Sequence, residues 1–291
     1  MKGIILAGGT GSRLWPITRS VSKQLLPIYD KPLIYYPLST LMLAGVREVL
    51  VITTPVDSKS FQDLLGDGSD FGLSISYSVQ ERPNGLAEAL IIGESFLNGD
   101  SCLMILGDNV FYGGGLGHAL ESLEDSTGCH IFTYQVANPS DYGILTLDSN
   151  GSPVRIVEKP VSGKSDLAVT GIYFFDSKAS QIAKKVKPSK RGELEITSVI
   201  ESYLDSESLF VTHLSRGTAW LDTGNPESML AASNFIQVIE TRTGLKIACL
   251  EEIAFENRWI SVDQLKEAAN KYGKSNYGVY LSNILKRMNI E

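Results

Sequence analysis

The sequence predicts an α/β protein built on a doubly wound, mostly parallel sheet, with an added antiparallel part and helices at the C-terminal end. Three observations predict it. Short β-branched runs alternate with helical segments up to about residue 135, strands separated by turns follow over 142–175, and the chain is mostly helical after Pro226. Alternating strand and helix signals are what a Rossmann-like sheet with helices on both faces produces. At 291 residues, folding buries about three-quarters of the extended-chain surface. The expected division is a core over 1–225, split near residue 135, and a helical segment over 226–291.

Taken in order, the first strand is expected at 2–6, where Ile4-Ile5-Leu6-Ala7 is apolar without interruption and so reads as buried on both faces. A helix is expected over 32–44, started by Pro32 and ended by Gly45. Strands at 48–53, 74–79, 102–106 and 130–135 continue the sheet. Over 85–96, Leu86, Ala89, Leu90 and Gly93 share one side at helical spacing and face it. Strands at 143–147, 154–158 and 169–175 make the sheet partly antiparallel, the first two joined by the turn Asp148-Ser149-Asn150-Gly151. By composition 161–166 reads as a mobile loop. Helices at 227–241, 261–270 and 275–287 complete the core or meet another subunit.

A formal charge of −7 argues against nonspecific binding of nucleic acid or anionic membrane, so any phosphate affinity has to come from a local cluster. Cys102, Cys129 and Cys249 are odd in number and widely spaced, which suits a reduced cytoplasmic protein better than a disulfide framework. His118, His130 and His213 are equally scattered. No zinc spacing exists, and a metal here is expected to be a hard cation held by carboxylates. The first strand begins almost at once and Pro37 interrupts the apolar stretch near it, so neither a signal peptide nor a membrane span is expected.

The most informative segment joins the first strand to Gly8-Gly9-Thr10-Gly11-Ser12-Arg13. Glycines let backbone N–H groups converge, and Arg13 with Lys23 supplies the fixed charge that a triphosphate requires. A plain strand-to-helix turn has the same local signature. Two other nucleotide motifs do not fit. A P-loop would place Lys and Ser/Thr where Arg13 and Leu14 stand. A dinucleotide fingerprint needs a small residue at Leu14 and an acid closing the second strand, where Thr53-Thr54-Pro55 stand.

Other candidates sit at strand ends. Asp108 follows the apolar strand 102–106, where open α/β sheets bind ligands, and is either a turn former or a metal ligand. Asp222, among turn residues, is either a cap for the helix near Pro226 or a second metal ligand. Glu158-Lys159-Pro160 closes another strand as a surface ion pair or as a grip on sugar hydroxyls and a sugar phosphate. Gln80 ends the strand 74–79, and its amide has a donor beside an acceptor, which suits a pyrimidine imide edge as well as it suits solvent. Tyr142-Gly143 and Val169-Thr170-Gly171 are either ordinary strand starts or places where backbone could approach a small ligand closely.

Seven ordered blocks resemble the sugar nucleotidyltransferases: Gly8 to Leu14, Ser22 to Pro27, Tyr29 to Leu38, Leu106-Gly107-Asp108-Asn109, Glu158-Lys159-Pro160, Arg191 to Thr197, and Trp220-Leu221-Asp222-Thr223-Gly224. The resemblance runs from residue 1 to about 285 and is strongest to the thymidylyl-transferring members. It implies that dTTP and α-D-glucose 1-phosphate give dTDP-glucose and pyrophosphate with Mg2+, in dTDP-rhamnose-type synthesis. By the same resemblance Gly8, Gly9, Gly11, Ser12 and Arg13 would hold the triphosphate beside Lys23. Gln80 and Gly85 would read thymine, Asp108 and Asp222 would bind the metal, and Asn109, Gly143, Glu158, Lys159 and Val169 would hold glucose 1-phosphate. Arg13, Lys23, Asp108 and Lys159 would carry the catalysis. A homotetramer inhibited by dTDP-rhamnose near the C-terminal helices is also implied. Glu81-Arg82 departs from the smaller, less charged residues that many members have there.

Overall fold

A computed structural model of the chain describes residues 1–161 and 165–287. The elements begin with β1 (Lys2–Ala7), β2 (Pro27–Ile28), β3 (Lys31–Pro32), α1 (Tyr35–Leu43), β4 (Glu48–Thr53), α2 (Ser58–Leu65) and β5 (Ser74–Val79). Then come α3 (Glu88–Ile92), α4 (Glu94–Leu97), β6 (Cys102–Leu106), β7 (Asn109–Tyr112), α5 (Leu116–Glu121) and β8 (Cys129–Gln135). Next are β9 (Gly143–Leu147), β10 (Pro153–Glu158), β11 (Leu167–Phe175), α6 (Ala179–Ala183), α7 (Ile196–Asp205), β12 (Leu209–His213) and β13 (Ala219–Asp222). Four helices follow: α8 (Pro226–Thr243), α9 (Leu250–Glu256), α10 (Val262–Tyr272) and α11 (Asn276–Arg287).

The main sheet runs β10-β9-β11-β6-β1-β4-β5, with β8 joined to β11 and β12 to β8. β1 lies parallel to both β4 and β6, and β4 parallel to β5, so these strands all end at one edge. β11 is antiparallel to β6, with Ile172 opposite Ile105, and its first residues therefore start at that same edge. This is the expected mixed α/β architecture. Ile4 and Ile5, both fully buried, point into different apolar clusters on the two faces, each side chain contributing roughly 1.5–3 kcal/mol of burial. One cluster unites Ile5, Val49 and Val51 with Leu250, Ile253, Leu265 and Leu281 of the C-terminal helices. The other sets Ile4, Leu50 and Met104 against Leu90, Ala183, Val199 and Ile200.

Three local expectations are corrected. Pro32 does not start the first long helix: it pairs with Pro27 in a small hairpin, and α1 begins at Tyr35. Leu33 and Ile34 close this hairpin, their N–H groups donating to the Leu26 and Gln24 carbonyls and holding the chain just before α1 against the preceding strand. Pro37 then falls in the first turn of α1, where its missing N–H costs no intrahelical bond. The 85–96 segment forms two short helices rather than one, divided at Gly93, and Ala87, just before the first, gives its N–H to the Leu194 carbonyl. Among the described residues the C-terminal part, expected to be mostly helical, holds four helices rather than the three named, α9 being the addition. The loop expected at 161–166 falls partly outside the described residues. Among those described, no helix is long and apolar enough to cross a membrane.

Candidate active site

The carboxyl edge of the parallel strands opens into a cleft of about 430 Å³. Gly9, Gly11, Ser12, Arg13 and Lys23 line one side, Glu158, Lys159, Gly143 and Val169 another, and Asp108, Asn109 and Asp222 lie among the lining residues. Parallel pairing places the loop after β1 beside the loop after β6, since Leu6 stands opposite Leu106. Gly11 takes φ +59° at the head of a single 3-10 turn over Ser12–Leu14, which leaves Ser12 and Arg13 exposed while Leu14 is buried as its anchor.

Lys23 and Asp108 meet directly. Lys23 is buried, and its Nζ lies 2.7 Å from Asp108 Oδ2. The other Asp108 oxygen accepts from Asn109 Nδ2 at 2.8 Å. Asp222 ends β13 opposite Asn109 of β7, which brings it next to Asp108. Thr223 fastens the two segments, donating its hydroxyl to the Asp108 carbonyl at 2.8 Å. Burial, and then the Asp108 charge, push the Asp222 carboxyl up to about 6, with Lys23 and Arg13 opposing. The capping alternative fails for Asp222: Asn225 caps α8, accepting from Ser228 N–H.

At the other end of the cleft Glu158 pairs in register with Gly143. Burial raises its carboxyl above the usual range; Lys159 and Arg191 counter this. Lys159 Nζ is 3.9 Å from Glu158 Oε1, and its own backbone, at φ +44°, donates to the Tyr142 carbonyl. Arg191 Nη2 lies 3.4 Å from Glu158 and 2.8 Å from Glu195.

Gln80 is buried beneath Gly8, and its Nε2 donates to the Gly85 carbonyl at 3.1 Å and to Glu88 Oε2 at 2.8 Å. Its donor is thus occupied, whereas the imide-reading expectation had donor and acceptor side by side. Gly85 has a structural duty of its own: at φ +111° any Cβ there would stand 2.4 Å from the Leu194 carbonyl oxygen. Glu81 and Arg82 are exposed. Among the described residues no group of three or more His, Cys, Asp or Glu side chains could by itself hold a metal. The pair Asp108 and Asp222 still fits a hard cation that takes one or two carboxylates and its other ligands from phosphates and water.

Sequence reasoning gave no role to Arg191 or Trp220, although both stand in the resembling blocks, and marked Tyr142 only as backbone near a ligand. Tyr142 and Trp220 line the cleft with ring centroids 5.1 Å apart. A period of two along β13 puts Trp220 on the same side as Asp222, a signal available in the sequence.

A cleft at the carboxyl edge of a mostly parallel sheet, with a glycine loop, two cations and two facing acids, defines a site for joining phosphate-bearing substrates. The chain belongs to the nucleotidyl transferase family, whose pattern it matches over residues 2–238. It is a nucleotidyltransferase enzyme. A glucose-1-phosphate thymidylyltransferase of Neisseria meningitidis is 55% identical, with 99% of this chain and 100% of the relative covered. One from Mycolicibacterium smegmatis is 53% identical over 99% and 100%. Among solved structures, a Bacillus anthracis protein described as a glucose-1-phosphate thymidylyltransferase, in complex with a sucrose, superposes with a TM-score of 0.75 at 38% identity, covering 81% of this chain and 94% of its own.

Proposed function

We propose that the chain transfers a thymidylyl group from dTTP to α-D-glucose 1-phosphate, giving dTDP-glucose and pyrophosphate. The observation that carries this reading is the contact of Lys23 with Asp108, beside Asp222, between the glycine loop and the Glu158-Lys159 pair. The names of the relatives supply the substrates.

The chemistry is a direct displacement. A phosphate oxygen of the sugar phosphate bonds to the α-phosphorus as the bond from that phosphorus to the bridging oxygen breaks, and pyrophosphate leaves with the electron pair. The nucleophile is already an anion, so no strong base is needed. The work is to hold two polyanions in line and to offset their charge. Gly9, Gly11 and Arg13 would hold the triphosphate, Lys159 the sugar phosphate, and Glu158 the sugar hydroxyls. Lys23 would stand at the reacting phosphates. Asp108 and Asp222 would hold Mg2+, which when bound offsets phosphate charge as a Lewis acid.

Pyrophosphate release with dTTP and glucose 1-phosphate tests the reading; no release with this pair, against release with UTP, would replace it by a uridylyl transfer. A division after residue 225, a homotetramer, inhibition by dTDP-rhamnose, a place in dTDP-rhamnose synthesis and a cytoplasmic location belong to the same proposal. Sedimentation and titration with dTDP-rhamnose test the assembly and the inhibitor.

A further inference from the structure

We propose that Trp220 and Asn109 are positioning residues for Asp108: the indole N–H fixes the orientation of the Asn109 carboxamide, which fixes the Asp108 carboxylate for a divalent cation. This rests on the metal reading of Asp108 and Asp222 above.

Asn109 is 2% exposed and engaged at both ends of its amide. Trp220 Nε1 donates to Asn109 Oδ1 at 2.6 Å, and Asn109 Nδ2 donates to Asp108 Oδ1 at 2.8 Å. The two ends of a carboxamide are nearly equal in shape, so sterics alone do not choose between them. An indole nitrogen is a donor only. It can meet only the amide oxygen, and so it turns the amide nitrogen toward the carboxylate. A flipped amide would set its oxygen against Asp108 and its N–H groups against the indole N–H, leaving like groups facing each other twice.

The surroundings preserve this arrangement. A Cβ on Gly171 would stand 2.5 Å from Asn109 Oδ1, so a larger residue there would push the amide out of line. Trp220 stacks with Phe111 and meets Tyr134 edge-on, with centroids 6.4 and 6.0 Å apart. Lys23 holds the remaining Asp108 oxygen. Trp220 thus lines the cleft with its ring and reaches a metal carboxylate through one amide. Asn109, which the resemblance places among the sugar-phosphate residues, acts here through Asp108.

The test is Trp220→Phe, which keeps an aromatic ring and removes the N–H. Mn2+ binding is followed by the electron paramagnetic resonance of free Mn2+, with the non-reacting α,β-methylene analogue of dTTP present. The dissociation constant of Mn2+ is expected to rise about three- to tenfold, as for loss of one orienting hydrogen bond. Tyr142→Leu disturbs the same aromatic wall and leaves the N–H in place, and wild-type Mn2+ affinity is expected. Unchanged Mn2+ affinity in Trp220→Phe, or an equal loss in Tyr142→Leu, would overturn the proposal. Should Trp220→Phe fail to fold, 3-benzothienylalanine at position 220 removes the N–H from an isosteric ring and is read in the same way. A wild-type protein that binds no Mn2+ with the analogue would instead refute the metal reading, and this proposal with it.

Discussion

Asp222→Asn should make the substrate-free protein more stable while removing most of its metal-dependent activity. Burial and the neighbouring Asp108 raise the Asp222 carboxyl from 3.8 to about 6, so its charged form is disfavoured in the folded state. The folded chain holds this proton more tightly than the unfolded chain, and stability is therefore lost as pH rises between about 4 and 6. Above about pH 6 the penalty is complete. At 1.36 kcal/mol per decade it reaches about 3 kcal/mol at most, and water at the open side of the cleft reduces it to about 1–3 kcal/mol. The neutral amide escapes this cost, so for a chain of this size the melting temperature at pH 7.5 with EDTA should rise by about 2–5 °C. At pH 4.5 most of the gain should vanish. With Mg2+ and dTTP the order should reverse, since the variant lacks one of two metal carboxylates. An Asp222→Asn protein that melts at or below wild type in EDTA at pH 7.5 would refute the reasoning.

Lys159→Ala should raise the KM for glucose 1-phosphate about tenfold or more with kcat little changed, whereas Arg13→Ala should lower kcat; steady-state kinetics giving mild, similar changes for both would remove these roles. Lys23→Met should lower kcat about a hundredfold and move the acid limb of the pH–rate profile to higher pH, because Lys23 is one of the charges holding the Asp222 carboxyl down. An acid limb at the wild-type position would contradict this coupling. Gly85→Ala, strained at φ +111° and 2.4 Å from the Leu194 carbonyl oxygen, should destabilise by about 2–4 kcal/mol in urea titration; wild-type stability would show that the loop shifts freely.

How much of the site could be read in advance depended on how local its causes are. The glycine loop, Asp108 at the end of β6 and Glu158-Lys159 at the end of β10 were legible, since strand ends and glycine turns are properties of neighbouring residues. Arg191 was not. Its partner Glu158 lies 33 residues away on another segment, and the two meet only in the folded chain. Gln80 was legible as a strand end, yet its donor is taken by Glu88 at the start of the next helix.

By itself, the order of apolar runs, glycines and prolines determined that β1, β4, β5 and β6 would form and end where charged loops follow. The alternation of Ile4 and Ile5 between two faces determined that both would need cover. Only the tertiary structure decided that Asp222 would join Asp108, because a pairing of β13 with β7 across more than a hundred residues rests on long-range burial that no short window contains. It likewise decided that Pro32 would sit in a hairpin, where it pairs with Pro27 and the following N–H groups of Leu33 and Ile34 meet the Leu26 and Gln24 carbonyls.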